Sequence, residues 1–410
     1  MDSPSPSQFI FVGRQPIYDK KLNVYGYELL FRAGDSVNKA VFADGDAATC
    51  QVVLNTFVEI GLDTIVGDKP AFLNLTQNLL LQGFPHQLPR NRVVIEILED
   101  VSVDESVLAA VRKLREAHYT VVLDDFVYRA ELQPLIEYAD MVKVDVMRLD
   151  HEGLIEHADL LKTYNMTMVA EKVETQEEFE FCESLGFHLY QGYFFARPTI
   201  IKGQKIPASR LATLRLLSKL QESDSTVSEL EQVISYDVSL SYKVLRIINS
   251  AFYGLSNKVN SIRHAVVLLG RERIKSWVAL IVLEGVSNKP SELMVNTMIR
   301  AKMCELLGVA LRREKEKDVY FTVGLFSALD AIFDMDMEEV LASLPLADDV
   351  LEALVKKEGL KGSTLSCVLA YERGDWERVV EALPLELEAI RSAYIESVRW
   401  ATQVQKAMEE

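Results

Sequence analysis

The chain is 410 residues long, with 49% apolar and 26% charged residues, which excludes a disordered, collagen-like or disulfide-scaffold protein. This length exceeds what one hydrophobic core usually fills, so we expect two domains. The formal net charge of −17 repels polyanions and anionic lipid at long range, so neither a nucleic-acid polymer nor a membrane is expected as a partner.

The cysteines and the amino terminus bear on the compartment. Four cysteines stand far apart without a CxxC pattern, and we interpret them as buried thiols of a reducing compartment: Cys50, Cys182, Cys304 and Cys367. The terminus lacks the basic and apolar regions of a signal peptide, and no apolar run approaches the ~20 residues of a membrane span. The sequence therefore predicts a cytoplasmic protein, with residues 1–8 as a disordered tail.

The first half, from Phe9 to about Pro198, alternates short β-rich runs with helical stretches, which is typical of parallel strands joined by crossover helices. The strand candidates are Phe9–Val12, Tyr25–Phe31, Ala71–Leu75, Val93–Leu98, Thr120–Leu123, Met141–Val144, Met166–Ala170 and Tyr190–Phe195. The helix candidates between them are Ala47–Ile60, Asp104–His118, Leu132–Tyr138 and Gln176–Leu185. This alternation predicts a compact (β/α) barrel over residues 9–200.

After Pro198 the strand signals nearly vanish. We interpret Thr199–Pro207 as a connector, with the linker proper at residues 201–206, and we predict an all-helical domain over 207–410 that ends in a long helix. The predicted helices are Leu211–Ser223, Thr226–Ser235, a segment around Leu240–Ala251 closed by Gly254, Arg271–Glu284, Glu292–Leu307, Asp318–Phe333 and Leu385–Met408.

Polar residues of the first half fall at the carboxyl ends of successive apolar runs. They are Glu28, Asn74, Glu96, Glu99, Asp124, Asp125, Lys143, Asp145, Glu171, Glu174 and Gln191. A barrel assembles its active site at these strand ends, so we expect the side chains to meet at one mouth. Any one of these acids is about as well explained by loop capping, and Glu99 and Asp145 most of all.

Several carboxylates at one barrel mouth retain protons unless cations neutralise them. Oxygen donors that include an Asn amide suit Mg²⁺ or Mn²⁺ better than zinc. Two such ions can activate a shared water for in-line attack on phosphorus, so the pattern favours phosphodiester hydrolysis. Arg32 follows Glu28 by four residues, and its pairing with Glu28 and its binding of a phosphate stay equally open.

In order along the chain, these segments resemble the EAL domain, the family of cyclic di-GMP phosphodiesterases with a TIM-like barrel. Gln15-Pro16-Ile17 is similar to the family's opening, Glu28-Leu29-Leu30-Phe31-Arg32 to its naming motif, and Phe72-Leu73-Asn74-Leu75 to its asparagine strand. The resemblance implies that two metal ions and their water are held by Glu28, Asn74, Glu96, Asp124, Asp125 and Glu171.

The same resemblance implies further roles. Glu171 would also be the general base, with Lys143 and Gln191 orienting the water. Gln15, Leu30 and Arg32 would contact the dinucleotide. Loop anchoring or support of the site is implied for Glu99, Asp145 and Glu174.

Three departures from the family pattern weaken the expectation of turnover. Leu29 replaces the alanine of the naming motif. Val127-Tyr128-Arg129-Ala130 replaces a glycine-rich loop that the family links to metal binding and dimerisation, and Val127 does not readily adopt the positive φ that glycine permits. Lys172 replaces a glycine beside Glu171, and its ammonium is a candidate for cationic space meant for a metal. We expect ligand contact to survive better than hydrolysis.

The second half resembles the HDOD domain, a relative of HD phosphohydrolases without their chemistry, from about Pro207 to Val380. It lacks a His-Asp pair and has a single histidine, His264, which excludes a metal site of that type; His264 and the apolar run Trp277–Leu283 favour structural roles. Chains that join the two domains form a bacterial signalling group associated with cyclic di-GMP, motility and biofilm attachment, with the HDOD half as a protein-interaction output.

Three hypotheses follow from the sequence. The first is a signalling protein whose barrel binds cyclic di-GMP with weak Mg²⁺- or Mn²⁺-dependent hydrolysis to linear pGpG. The second is a fully active phosphodiesterase, with the altered loop rebuilt by the HDOD half or by the second subunit of a homodimer. The third is an interaction scaffold that ignores the nucleotide.

Overall fold

A computed structural model describes residues 10–33, 61–192, 208–222, 225–250, 253, 255, 258–285 and 290–409. The chain divides into two compact units, of which the second begins at Phe195. The predicted helix Ala47–Ile60 and connector Thr199–Pro207 lie outside the described residues, as do Cys50 and Gly254.

The first unit is a closed eight-stranded barrel in which each strand pairs with the next along the chain. The strands are β1 (Ile10–Asp19), β2 (Val24–Ala33), β3 (Ala71–Leu75), β4 (Val93–Ile97), β5 (Thr120–Leu123), β6 (Met141–Asp145), β7 (Thr167–Glu171) and β8 (Leu189–Gln191). The predicted barrel is thus confirmed, with every expected strand present.

The first strand departs from the expected all-parallel arrangement. β1 runs antiparallel to both of its neighbours, β2 and β8, whereas β2 to β8 are parallel. The cause is local, because only four residues separate Asp19 from Val24, too few for a crossover connection. The Asp19 carboxylate accepts hydrogen bonds from the backbone N–H groups of Lys21 and Asn23, at 2.8 and 2.9 Å, and so closes a hairpin turn.

Helices connect the parallel strands. They are α1 (Leu62–Val66), α2 (Gln77–Leu81), α3 (Glu105–Glu116), α4 (Gln133–Ile136), α5 (His151–Lys162) and α6 (Gln176–Ser184), with 3₁₀ turns at Phe84–Gln87 and Ala130–Leu132. The sequence analysis missed α5. Its signal was an N-cap, since the Asp150 carboxylate accepts from the Gly153 N–H at 2.8 Å.

One layer of apolar side chains fills the barrel interior. It comprises Ile17, Phe72, Val94, Val122, Met141, Val169 and Leu189, all nearly inaccessible to solvent. Side chains two residues further along a strand point to the same face. Six of these positions plus two give Asn74, Glu96, Asp124, Lys143, Glu171 and Gln191. The polar residues at the strand ends therefore form the next layer toward the mouth.

In its described residues, the second unit contains helices and no strand. The helices are α7 (Ala208–Gln221), α8 (Val227–Ser235), α9 (Val238–Ile248), α10 (Ile262–Leu269), α11 (Arg271–Glu284), α12 (Ser291–Ala310), α13 (Lys317–Phe326), α14 (Leu329–Phe333), α15 (Met337–Leu341), α16 (Asp348–Val355), α17 (Gly359–Glu372), α18 (Trp376–Ala382) and α19 (Leu387–Glu409), with a 3₁₀ turn at Glu314–Glu316. The single helix expected over Asp318–Phe333 was wrong, because the chain breaks at Ser327–Ala328 into α13 and α14.

Helices α12 and α13 pack closely at the centre of the second unit. A Cβ on Gly324 would lie 2.6 Å from the Ala301 Cα, so only glycine permits this approach. Arg273 binds the Glu305 carboxylate through both terminal nitrogens, at 2.6 and 3.1 Å, and this bidentate pair also contacts Asp318 and Lys302.

Other structural expectations for this unit are confirmed. The side chains of the run Trp277–Leu283 are buried except for the half-buried Val282, whereas His264 is exposed on a helix face. Cys304 and Cys367 are buried free thiols, as is Cys182 in the first unit. Within the described helices, none is long and apolar enough to cross a membrane.

Candidate functional site

The carboxyl ends of β3 to β8 bring six sequence-predicted site residues into one buried layer, with Glu28 of β2 beside them. Glu96 and Lys143 are completely buried, and Glu28, Glu171 and Gln191 are at least nine-tenths buried. The strand register sets Glu96 beside Asn74 and Asp145 beside Glu171. The expected convergence at the barrel mouth is therefore present.

The Lys143 ammonium lies at the centre of four carboxylates. Its Nζ is 2.6 Å from Glu171 Oε1, 2.9 Å from Glu28 Oε2, 3.0 Å from Glu96 Oε1 and 3.3 Å from Asp124 Oδ1. We call these four acids with Lys143 the inner group. One ammonium cannot offset four ionised carboxylates, so the inner group either keeps protons or takes up a further cation.

Two amide side chains fix the orientation of Glu28. Asn74 Nδ2 donates to Glu28 Oε1 at 2.7 Å, and Gln191 Nε2 donates to Glu28 Oε2 at 2.8 Å. Gln191 Nε2 also lies 3.1 Å from Gln15 Oε1, which connects β8 to β1. The amide oxygens of Asn74 and Gln191 accept no hydrogen bond.

The inner acids differ in proton affinity. Burial raises the pKa of Glu171 to about 8, although Lys143 opposes the shift. Burial also raises the pKa of Glu96 and of Asp124, and the neighbouring carboxylates add to both shifts. Burial likewise opposes ionisation of Glu28, but Lys143, Gln191 and Asn74 together lower its pKa. Glu28 is thus the anchored carboxylate, whereas the others release their protons reluctantly.

The donor set fits a divalent cation by its chemistry. Asn74 Oδ1 and Glu96 Oε2 are buried oxygens without a hydrogen-bond donor, and a hard cation prefers carboxylate and amide oxygens. Within the described parts of the chain, however, no three acidic, His or Cys side chains surround a point prepared for a metal. The inner carboxylates close on Lys143 instead, so an ion would have to share them with its ammonium.

A second set of acids lies beside the first. Arg148 binds Glu99 Oε2 at 2.6 Å, Asp125 Oδ2 at 3.1 Å and Asp145 Oδ2 at 3.4 Å. Lys172 also contacts Asp145, and its Nζ lies 3.5 Å from Asp125 Oδ1. We call these three acids with Arg148 and Lys172 the outer group. Sequence analysis missed Arg148, which shows no signal beyond lying three residues after Asp145.

Two residues of the outer group have backbone dihedral angles in the left-handed region, although neither is a glycine. Asp125 has φ 46° and Lys172 has φ 57°. Val127 does not have positive φ, because Asp125, a residue type that tolerates this region, makes the turn. The Phe126 N–H then donates to the Lys143 carbonyl at 2.9 Å and holds the loop against β6. The loop without glycines therefore makes its turn at Asp125.

Within the outer group, Glu99 contacts Arg148, which also binds Asp125 in the loop after β5. The remaining predicted residues stand outside the two groups. Glu174 follows β7, and its backbone N–H donates to Glu178 Oε2 at 2.7 Å. Leu30 is half-buried on β2, and the side chain of Arg32 lies outside the described residues.

A cavity of about 360 Å³ opens beside the outer group. It is bounded by the loops after β4 and β5, and its lining is mostly apolar: Ile97, Leu98, Val101, Leu123, Phe126, Val127, Leu132 and Leu135, with Glu99, Asp124, Asp125 and Arg129. Asp124 and Asp125 thus line the cavity, and Asp124 also belongs to the inner group.

Two family models match the chain. The EAL domain model matches residues 57–198 and the HDOD domain model matches residues 206–341. The first match begins after β2 and so excludes the segment Glu28–Arg32.

Two relatives match nearly the whole chain. The cyclic di-GMP phosphodiesterase CdgJ of Vibrio cholerae is 32% identical over 402 residues, which cover 97% of this chain and 93% of the relative. The uncharacterized protein YuxH of Bacillus subtilis is 32% identical over 409 residues, which cover 97% of this chain and 99% of the relative.

Solved structures match the barrel half. The Klebsiella pneumoniae BlrP1 complex with calcium and cyclic di-GMP is 23% identical, with a TM-score of 0.40, over 48% of this chain and 58% of that chain. The PaMucR phosphodiesterase complex with cyclic di-GMP is 21% identical, with a TM-score of 0.37, over 49% of this chain and 99% of that chain.

Proposed function

The chain belongs to the family of proteins that join an EAL domain to an HDOD domain, and from that premise we propose that it acts in cyclic di-GMP signalling. Its barrel binds cyclic di-GMP and hydrolyses it slowly to linear pGpG with a divalent cation, Mg²⁺ or Mn²⁺. The observation that carries this proposal is the inner group, in which one buried ammonium faces four carboxylates. The full-length relative named as a cyclic di-GMP phosphodiesterase supports it.

Each residue of the inner group has a role in this proposal, as do the neighbouring amides of Asn74 and Gln191. Glu28, Asn74, Glu96 and Asp124 would hold the cation, which when bound lowers the pKa of a water and stabilises charge on phosphorus. Glu171 accepts the proton of the attacking water at its carboxylate, which lies 2.6 Å from the Lys143 ammonium. Lys143 orients the water, and Gln191 holds Glu28 in place.

Turnover of purified protein tests the enzymatic proposal. The full chain is incubated with cyclic di-GMP and Mn²⁺ or Mg²⁺, and the products are separated by chromatography. We expect linear pGpG from the wild type and a loss of about 100-fold or more in Glu171→Ala, since a general base contributes about 10²- to 10⁴-fold. Glu177→Ala, an exposed acid on α6, is the matched control and should retain wild-type activity.

A scaffold that ignores the nucleotide is the second candidate. The ion pairs of the outer group favour it, because Asp125 is already bound to Arg148 and Lys172. Thermal melting separates the candidates, since a ligand that binds only the folded state raises its stability. A shift with cyclic di-GMP and Mn²⁺ added together supports the signalling proposal, and an unchanged melting temperature supports the scaffold.

For the helical unit we propose a role as a protein-interaction output. Large apolar side chains are exposed on its surface, with Tyr236 at 94%, Val238 at 81% and Val267 at 71%. Such side chains mark interaction surfaces when they cluster. The double substitution Val238→Asp and Val267→Asp should abolish co-purification of a protein partner and leave cyclic di-GMP binding unchanged. Analytical ultracentrifugation of the wild type and of this double variant tests whether the surface instead forms a homodimer.

A further inference from the structure

The acids at the barrel mouth divide into two groups that differ in how fully their negative charge is offset. In the inner group one ammonium faces four carboxylates. In the outer group, Arg148 and Lys172 face three: Glu99, Asp125 and Asp145. An added cation would therefore gain much more electrostatic energy in the inner group.

The unpartnered oxygens lie on the inner side only. Glu96 is completely buried, and its Oε2 accepts no hydrogen bond. The Oδ1 atom of Asn74 is also buried and accepts no hydrogen bond. In the outer group, each carboxylate contacts at least one cation. A buried oxygen without a hydrogen-bond donor lowers the stability of the folded state, so the inner group favours an added cation. In the outer group, Arg148 and Lys172 already contact the carboxylates.

Backbone geometry places Lys172 in the outer group. It follows Glu171 directly and has φ 57°, which is uncommon for a residue with a long side chain. Its ammonium contacts the nine-tenths buried Asp145 and lies 3.5 Å from Asp125. These two carboxylates raise the pKa of Lys172 against the opposing effect of burial, so that it stays charged.

We propose that Lys172 and Arg148 act as built-in counter-ions of the outer group, so that Asp125 is not a metal ligand and the barrel binds a single divalent cation, in the inner group. The inference rests on the divalent site of the proposed function but not on turnover. The side-chain charges of Lys172 and Arg148 thereby neutralise the carboxylates that a second metal ion would otherwise neutralise.

Manganese binding to the full chain tests this inference without nucleotide. Equilibrium dialysis gives the stoichiometry, and electron paramagnetic resonance separates an isolated Mn²⁺ from a pair of ions about 3.5–4 Å apart, which are magnetically coupled. The wild type should bind one uncoupled Mn²⁺ per chain. The double variant Lys172→Gly and Arg148→Ala should bind two coupled ions, and glycine is well suited to the positive φ at position 172.

Two further variants complete the design. Lys172→Arg keeps the positive charge, and this variant should still bind one Mn²⁺ per chain. Lys162→Ala removes an exposed ion pair with Asp159 on α5 and should also stay at one. Circular dichroism confirms that each variant is folded.

Three results would overturn the inference: two coupled ions in the wild type, no ion in the wild type, or one ion in the folded double variant. None of them depends on hydrolysis. Absence of pGpG from a protein that binds one Mn²⁺ would count against the enzymatic proposal alone.

Discussion

Lys143 is a charged side chain with no access to solvent, and it is held by carboxylates on β2, β4 and β7 and by one directly after β5. These contacts raise its pKa well above the ordinary value, although burial acts in the opposite direction. Lys143 is thus a structural counter-ion as well as a candidate catalytic group. Both roles follow from the same four contacts.

Removal of this charge should destabilise the metal-free protein. Lys143→Met keeps the side-chain volume but leaves four buried acids without a counter-ion, and we expect a loss of about 3–5 kcal/mol in the free energy of unfolding. Urea unfolding in the presence of a chelator measures it. Lys113→Met, an exposed lysine on α3, should change stability by less than about 0.5 kcal/mol. Equal costs for both variants would contradict this role of Lys143.

The raised pKa of Glu171 predicts how stability depends on pH. The folded, metal-free protein keeps a proton on Glu171 up to about pH 8, whereas the ordinary value is 4.5. Between these values the folded state binds more protons, so stability falls as pH rises, by at most about 1.4 kcal/mol per pH unit for one group. Glu171→Gln removes this titration.

The difference between the two proteins isolates the effect from other titrating groups. In the presence of a chelator, the stability of the wild type relative to Glu171→Gln should decrease steadily from pH 5 to pH 8 and then level off. Chemical unfolding at several pH values measures this difference. A difference that does not change with pH would show that Glu171 ionises at its ordinary value.

At the scale of elements, β8 and the loop after β7 approach each other too closely for any side chain at Gly192. A Cβ there would lie 2.0 Å from the Val173 carbonyl oxygen. The preceding residue, Gln191, donates to Glu28, so the close approach positions a site residue.

Gly192→Ala should therefore displace β8 and cost about 1–3 kcal/mol of stability, the usual range for overpacking. It should also weaken Mn²⁺ binding, because Gln191 and Glu28 would move. Thermal melting and dialysis measure the two effects. Gly285→Ala is the control, since its nearest neighbour would be at 3.7 Å, and it should leave both unchanged.

Much of the barrel and its site was predictable from sequence because both follow from period-two alternation. Six of the seven apolar core residues, Val94 and Val169 among them, are followed two positions later by a polar residue of the mouth, such as Glu96 or Glu171. The pattern contains no comparable signal for long-range pairing. Arg148 therefore escaped prediction, since its partners Glu99 and Asp125 come from other loops.

Strand direction and helix breaks were harder to predict. The antiparallel β1 depends on a turn whose key contact is one Asp19 carboxylate. The break between α13 and α14 falls at Ser327–Ala328, and neither of these residues is a proline or a glycine. Tertiary packing decides such breaks, and local propensity does not show them.

At the scale of the whole molecule, the net charge of −17 opposes the approach of cyclic di-GMP, which carries two phosphodiester charges. Salt screens this repulsion, with a Debye length of about 10 Å at 0.1 M. The association rate should therefore rise severalfold between 0.05 and 0.3 M NaCl. Stopped-flow measurements at fixed divalent concentration test this. A rate that falls with salt would indicate that a locally basic path guides the ligand.

Closure of the barrel has a consequence for how the protein is made. Residues 17–19 of the first strand pair with residues 189–191 of the last, so the ring cannot close until nearly half of the chain has left the ribosome. Glu28 can form its hydrogen bonds with Lys143 and Gln191 only after both residues have been synthesised. Its carboxylate remains solvated until then. The candidate site is thus one of the last features of the barrel to form, and a nascent chain truncated before Gln191 lacks its full set of side chains.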